Sequence, residues 1–392
     1  MYQIKMFNKI SPVGLNRFDT ERYNVADTVE NEDGILVRSA KLLDYEFPAN
    51  LKAISRAGVG VNNIPVDRCS EAGIAVFNTP GANANAVKEL VLCAMLMGSR
   101  DVDGSICWVR QQVESGVDVT TVVEKGKSAF VGPELYRKTL GVIGLGAIGA
   151  LVANMAISLG MDVYGYDPFL SVNNALRLDR HIHVVQDINE LYKKSDYITI
   201  HIHFTDKTRG MINAEAISRM KSGVRFINLA RGEIVDDEAM LSALDTGRVA
   251  AYITDFPTNK LVRAHHVVAM PHLGASTPES EQNCAIMAAD ELKDYLENGN
   301  IHNSVNLPET YMDRSGVMRM CIIHKNVPAM LANITTLLSK DGVNVENLSN
   351  KSKGDYAYTM VDLGHKVGED VIEDVRKLAN VIRVRVIDWQ MD

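Results

Sequence analysis

The chain has 392 residues, 41 Lys and Arg against 49 Asp and Glu for a formal net charge of −8, and 46% hydrophobic residues. That length has room for two or three domains with cores of their own, and the acidic balance, without a long basic run, argues against a nucleic-acid surface. Five scattered cysteines (Cys69, Cys93, Cys107, Cys284, Cys321), without a CxxC or Cys/His cluster, suggest neither a disulfide framework nor a metal site and fit a reducing cytoplasm.

Met1–Ile10 reads as a strand with two lysines rather than a secretory signal. Gly34–Val37, Leu51–Ala57 and Gly73–Phe77 read as further strands of a first α/β unit. After Asn78-Thr79-Pro80, a long amphipathic region, Asn85–Val113, leads through Gly132-Pro133-Glu134-Leu135 to the apolar strand Thr139–Ile143. The stretch from Thr139 to Met161 carries no charge and is long enough to span a bilayer, but five glycines divide it into a strand-length and a helix-length piece, as in a buried βα unit. No other stretch approaches a membrane span.

Gly144-Leu145-Gly146-Ala147-Ile148-Gly149 follows that strand and opens a helical stretch, and Asp167 ends the next apolar run at the distance of a dinucleotide fingerprint. Gly144 makes the tight turn, Gly146 lets the backbone approach a pyrophosphate, and Gly149 allows close helix–strand packing; the free N–H groups of the helix start then face the phosphates. Asp167 would accept hydrogen bonds from the adenine ribose and repel a 2′-phosphate, so the expected cofactor is NAD. Strand-like runs recur at Asp162–Tyr166, His183–Val185, Tyr197–Ile202, Arg225–Leu229 and Val267–Ala269, and their alternation with helices predicts a parallel sheet.

Thr277 as cap and Pro278 at the first position predict a helix to about Glu297, stopping near Gly299. Polar Asn300–Arg314 with Pro308 reads as a linker. Met318–Ile323, a helix from near Pro328 to Gly342, Val343–Leu348, Tyr356–Asp362, a helix through Val371–Leu378, and Val381–Ile387 predict a small, separate βαββαβ domain.

Outside the fingerprint, Arg231 stands just past a predicted strand, where a guanidinium can hold a carboxylate bidentately and polarise an adjacent carbonyl. His272, in Met270-Pro271-His272-Leu273-Gly274, ends another strand and is placed for proton transfer.

The ordered set GLGAIG, Asp167-Pro168, His201-Ile202-His203-Phe204-Thr205, Asn228-Leu229-Ala230-Arg231-Gly232 and Pro271-His272-Leu273-Gly274 resembles the D-isomer-specific 2-hydroxyacid dehydrogenase family. The tail, with His324-Lys325-Asn326-Val327-Pro328 and with Asn344 after Gly342, resembles an ACT domain. The resemblance implies a doubly wound parallel-sheet nucleotide-binding domain (93–285) inserted into a smaller flavodoxin-like α/β substrate domain (1–92 and 286–306), plus a C-terminal ferredoxin-like ACT domain (315–392). For the reaction it implies NAD-dependent oxidation of D-3-phosphoglycerate, the first step of L-serine synthesis, with another D-2-hydroxyacid as the alternative substrate.

Carried over by residue, Arg231 binds the substrate carboxylate and carbonyl oxygen, and His272 takes the hydroxyl proton. The Val59-Gly60 amides grip the carboxylate, and Arg38 and Arg56 are candidates for the phosphate. Cofactor contacts fall on Gly144, Gly146, Ala147, Ile148, Gly149, Asp167, Pro168, His201, Thr205, Ala230, Asp255 and Gly274. His324, Asn326 and Asn344 would hold an amino-acid effector, typically L-serine, and a homodimer or homotetramer is implied, with neither nucleic-acid nor membrane partners.

Three departures stand out. The family carries a glutamate that hydrogen-bonds its catalytic histidine; here Thr254-Asp255-Phe256-Pro257-Thr258-Asn259 has none, and Asn259 falls at the acid position. Asp255 is then either the family's nicotinamide-contacting aspartate or, by a shortened loop, the carboxylate partner of His272. His203 stands where proline is usual, and Ala329 where ACT domains commonly have glycine. The missing glutamate also keeps open a non-catalytic, NAD-sensing binding protein of the same fold.

Overall fold

The computed structural model describes residues 1–340 and 342–389. The chain begins with β1 (Tyr2–Phe7), β2 (Tyr23–Ala26), β3 (Gly34–Val37), β4 (Ala53–Arg56) and β5 (Ala75–Phe77). They form a parallel sheet in the order β2-β1-β3-β4-β5, the flavodoxin-like arrangement. β3 is buried at every position, which is why its sequence is an unbroken apolar run rather than an alternation. β2 is absent from the sequence reading: it is a short edge strand with an exposed polar residue, Asn24, in its middle.

Residues 83–280 form one compact unit. It contains β6 (Thr139–Ile143), β7 (Asp162–Tyr166), β8 (His183–Val185), β9 (Tyr197–Ile200), β10 (Val224–Asn228), β11 (Val249–Thr254) and β12 (Val267–Ala269). All pairings are parallel and the order is β12-β11-β10-β9-β6-β7-β8, so the winding reverses at β6. In such sheets ligands bind beyond the carboxyl ends of the strands at the reversal. Two features of this unit are not legible in the sequence. β11 was not anticipated, because Ala250 and Ala251 dilute its β signal. The region Asn85–Val113 is two helices, Ala84–Ser99 and Val102–Glu114: Arg100 is extended, and the Asp101 carboxylate accepts the Gly104 N–H at 2.9 Å to start the second.

The second compact unit joins residues 1–82 to the chain from 281 onward. The helix Pro278–Asn298 begins as expected, with Thr277 Oγ1 accepting the Ser280 N–H at 3.1 Å. The tail sheet comprises β13 (Met318–Lys325), β14 (Val345–Lys353), β15 (Tyr356–Leu363) and β16 (Val381–Asp388). It is antiparallel in the order β14-β15-β13-β16, with helices Met330–Lys340 and Glu369–Arg376 completing a ferredoxin-like βαββαβ unit. Side chains alternate faces along each strand. Met320, Ile322, Val361 and Val384 pack with Ile334, Leu338 and Val375 of the two helices.

The opposite face of that sheet is not a solvent face. Cys321, Ile323, Tyr358, Met360 and Ile387 lie in one core with Ile4, Leu36, Phe77, Leu292 and Tyr295, so the tail shares its interior with the N-terminal sheet. Side chains also cap the end of the Pro278–Asn298 helix, whose last carbonyls have no intrahelical donor. Tyr2 donates to Leu296 O at 3.0 Å, Arg319 to Asn298 O at 2.7 Å and Tyr358 to Gly299 O at 2.7 Å, while Arg385 adds a second donor to Tyr295 O, which already accepts the Gly299 N–H at 2.9 Å. Arg319 is itself paired with Asp362, both fully buried. The stretch 300–314 is likewise not a solvated linker. Asn300, Ile301, Ser304, Asn306, Leu307, Thr310 and Met312 are buried, and Asn306 serves as a surrogate strand partner by accepting the Val76 N–H at 2.9 Å. Its polar residues are there to satisfy buried backbone.

Candidate active site

The fingerprint turn closes as its glycines require. Gly144 has φ +90, and a Cβ there would lie 2.5 Å from His201 O; a Cβ on Gly149 would lie 1.8 Å from Gly144 O. A Cβ on Gly146, by contrast, would meet nothing within 4 Å, so this position faces open space at the start of the helix Ala147–Ser158. Asp167, one residue past β7, accepts the Leu145 N–H through Oδ2 and the Phe169 N–H through Oδ1, each at 2.9 Å, and so braces the turn it was expected to serve. Each carboxylate oxygen keeps a lone pair for a ribose hydroxyl. The residues present thus fit a dinucleotide: Gly146, Ala147 and Ile148 would receive the pyrophosphate, and Asp167 with Pro168 would flank the ribose.

The remaining candidates in this unit follow the ends of neighbouring strands. His201 follows β9; burial pushes its ring down to about 3, so it is neutral, and Nε2 lies 3.0 Å from Thr199 Oγ1. Thr205 sits in a turn closed by Thr208, whose hydroxyl accepts the Thr205 N–H at 2.8 Å. Arg231 stands three residues past β10, Asp255 one past β11 and His272 three past β12, and these strands are adjacent in the sheet. The fold therefore brings the three residues to one sheet edge.

Asn228 is a site residue that the sequence reading quoted without a role. Fully buried, it accepts the Ala230 N–H at 3.1 Å and donates to Arg231 O at 2.9 Å, clipping the turn that presents Arg231. A polar side chain ending an otherwise apolar strand is the signal that marks it. Arg231 is half-buried, with Nη1 donating to Ala230 O at 2.6 Å.

Asp255 is 1% exposed, and Oδ2 accepts the Gly274 N–H at 3.0 Å, while Oδ1 is buried without a hydrogen-bond partner. Burial pushes its carboxyl above the usual range, opposed by the Gly274 N–H and by nearby His272. The exposed His272 ring packs on Phe256, centroids 4.7 Å apart at 48°. No local pattern marks Phe256 in the sequence.

In the other unit, Arg38 pairs with Glu281 at 2.5 Å, both side chains nearly half exposed. Arg56 donates from Nε to Arg38 O at 2.9 Å and from Nη1 to Gly60 O, so its guanidinium ties the loop after β3 to the loop after β4. Val59 O accepts from Asn78 Nδ2 at 2.6 Å.

The tail candidates divide. His324 lies inside β13 and is 2% exposed, not in the turn after a strand ending at Ile323: Nε2 contacts Thr359 Oγ1 and Nδ1 contacts Lys325 O, both at 2.9 Å. Asn326 donates to Gly354 O at 3.1 Å and Asn344 to Glu346 Oε1 at 2.7 Å. His324 pairs with Ala357 and Val345 with Leu363, so Asn344 lies at the other end of the sheet, roughly 20 Å away at the usual rise per residue. Ala329 adopts φ +67, the left-handed conformation that glycine would take there. Among the described residues there is no cluster of three or more His, Cys, Asp or Glu placed to hold a metal, and no helix long and apolar enough to cross a membrane.

Residues 92–274 match the family described as "D-isomer specific 2-hydroxyacid dehydrogenase, NAD binding domain". The chain is 34% identical over 327 residues to the D-3-phosphoglycerate dehydrogenase of Methanocaldococcus jannaschii, covering 81% of this chain and 59% of that protein. It is 36% identical over 287 residues to the hydroxypyruvate reductase of Thermotoga maritima, covering 69% and 87%. The NAD+-bound 3-phosphoglycerate dehydrogenase structure from Entamoeba histolytica aligns with a TM-score of 0.60 and 28% identity, over 78% of this chain and 98% of that one. The chain spans about three-fifths of the length of the M. jannaschii relative and of the Bacillus subtilis D-3-phosphoglycerate dehydrogenase. With a glycine turn shaped for a dinucleotide, a reversed parallel sheet that presents Arg231 and His272 on one edge, and these likenesses, the chain belongs to the D-isomer specific 2-hydroxyacid dehydrogenase family and carries its NAD-binding domain.

Proposed function

We propose that the chain is an NAD-dependent dehydrogenase that oxidises D-3-phosphoglycerate to 3-phosphohydroxypyruvate, the first step of L-serine biosynthesis. The observation that carries the reading is the placement of Arg231, Asp255 and His272 after three adjacent strands of the NAD-binding sheet. NAD, when bound, supplies the hydride acceptor. Arg231 orients the substrate by its carboxylate and polarises the C2 oxygen. His272 accepts the hydroxyl proton as the C2 hydrogen leaves with its electron pair, and returns it in the reverse reaction. The Val59-Gly60 amides hold the carboxylate, and Arg38 with Arg56 takes the phosphate. The names of the M. jannaschii and B. subtilis relatives support this substrate.

A second substrate, an unphosphorylated D-2-hydroxyacid, is favoured by a specific observation: Arg38 is already paired with Glu281, and Arg56 with the Arg38 and Gly60 carbonyls. The T. maritima relative, named for hydroxypyruvate, points the same way. A homodimer or homotetramer belongs to the first reading, with an amino-acid effector held across a pair of tail domains by Asn326 of one copy and Asn344 of the other; His324, named with them from the sequence, is enclosed in the sheet.

The test is NADH oxidation with 3-phosphohydroxypyruvate and with hydroxypyruvate. The proposal expects a higher kcat/KM for the phosphorylated substrate, and His272→Ala slower by roughly 10²–10⁴-fold. Arg38→Ala should cost the phosphorylated substrate alone about 1.5–3 kcal/mol. Equal losses on both substrates would assign the unphosphorylated one. NADH binding without turnover of any 2-ketoacid would make the protein an NAD sensor.

A further inference from the structure

We infer that the Thr254–Asp255–Phe256 corner positions His272, by a backbone pin and a ring contact, in place of a carboxylate hydrogen-bonded to the imidazole. The inference rests on the dehydrogenase reading and deepens it by naming what aims the proton-transferring group.

Three observations converge on the corner. Thr254, fully buried at the end of β11, accepts the Phe256 N–H on Oγ1 at 3.1 Å, which fixes the turn leaving the strand. Asp255 then reaches the segment that follows β12: its Oδ2 accepts the N–H of Gly274, two residues past His272. Gly274 fits closely, since a Cβ there would stand 3.3 Å from that same oxygen. Finally, the Phe256 ring lies against the His272 imidazole at 4.7 Å and 48°, and Phe256 Cβ stands 3.3 Å from where a Cβ on Gly232, the neighbour of Arg231, would be. One short corner thus contacts both segments expected to handle substrate.

The geometry separates two roles. A carboxylate that serves as an imidazole partner acts through its charge, and replacing it with an amide shifts the pH dependence. A carboxylate that pins a backbone N–H acts through an acceptor oxygen, which asparagine also has. Asp255 is bonded to the backbone, and its sealed second oxygen tolerates the neutral amide better than the charge. Phe256 restricts the imidazole sterically, a task that another large ring performs and alanine does not.

The expected results are specific. Asp255→Asn leaves the midpoint of the pH–rate profile in place and retains at least tenfold more kcat than Asp255→Ala, with little change in the KM for NADH in either. Phe256→Ala lowers kcat about tenfold and Phe256→Tyr restores it. Histidine-selective ¹⁵N and ¹H spectra, with the His272 signal assigned from His272→Ala, give a readout independent of turnover: the ring-current shift of His272 disappears in Phe256→Ala and persists in Asp255→Asn. Asp255→Asn as slow as Asp255→Ala, with a displaced pH profile, would overturn the inference and make Asp255 the proton partner of His272. A His272 spectrum unaltered by Phe256→Ala would equally overturn it. Wild-type protein inactive on every 2-ketoacid, yet with the expected spectral changes, would instead remove the dehydrogenase reading and leave the positioning role standing.

Discussion

The glycine turn at 144–149 and the histidine at 324 were both read from short motifs, and the structure treats them differently. The turn depends on what its residues lack: a Cβ is excluded at Gly149 and has open space at Gly146. The effector motif depends on a side chain being available, and the His324 ring is enclosed in the tail sheet with both nitrogens engaged. Motifs made of missing atoms carry over to a fold directly; motifs made of polar side chains carry over only where the fold leaves those side chains free.

Paired glycine variants test the first half of this comparison and should show the largest effect. Gly149→Ala should lose NADH binding together with thermal stability, since overpacking of a closed turn costs roughly 1–3 kcal/mol or more. Gly146→Ala should lose binding while its melting temperature stays at the wild-type value. Fluorescence titration with NADH alongside calorimetric melting separates the two, and equal melting losses would break the distinction. His324→Ala probes the second half: it strips the ring partner from Thr359, 2.9 Å away, and from Asn350 at 3.4 Å, and should destabilise the protein by about 1–3 kcal/mol. An unchanged melting temperature with an abolished response to millimolar L-serine would restore His324 as an effector ligand.

Glu291 extends the test to a buried group that the sequence reading did not mark. It is 7% exposed, Oε1 accepts from Asn303 at 2.6 Å, and burial pushes its carboxyl up to about 8 from 4.5. The folded protein thus holds this proton more tightly than the unfolded chain. The associated stability is complete below about pH 4.5 and is lost as the pH rises through about 8. Glu291→Gln should therefore melt like wild type near pH 5 and at a higher temperature near pH 9, a difference that melting curves across the range would show. The smallest expected effect is at Ala329. Relief of its left-handed backbone, partly offset by glycine's greater chain entropy, should make Ala329→Gly more stable by about 1 kcal/mol.

Legibility followed sequence distance. The fingerprint, its strand and Asp167 lie within one βαβ unit, so local pattern contained nearly all of their geometry. Asp255 was left between two roles because its partner, Gly274, is reached only when β11 and β12 pair side by side. The identity of β11 itself was hidden by two alanines. For His324, two residues decided the outcome: a strand ending at Ile323 puts the ring in a turn, and one ending at Lys325 puts it in a core. The polar stretch 300–314 looked solvated because its partners, among them Val76, come from the other end of the chain.

The capped end of the Pro278–Asn298 helix has a consequence for how the protein is made. Tyr2 meets Leu296 and Arg383 meets Leu51, so the unit that holds β1 is completed by residues synthesised only after 83–280. During synthesis the residues of 83–280 can close their own sheet as soon as they emerge, while β1–β5 must wait for residues 281–388 with Leu36 and Phe77 lacking their final neighbours. Residues 1–82 are accordingly the segment most exposed to aggregation and chaperone capture in the nascent chain, and truncations near residue 313 should leave the 83–280 unit folded and β1–β5 incompletely packed.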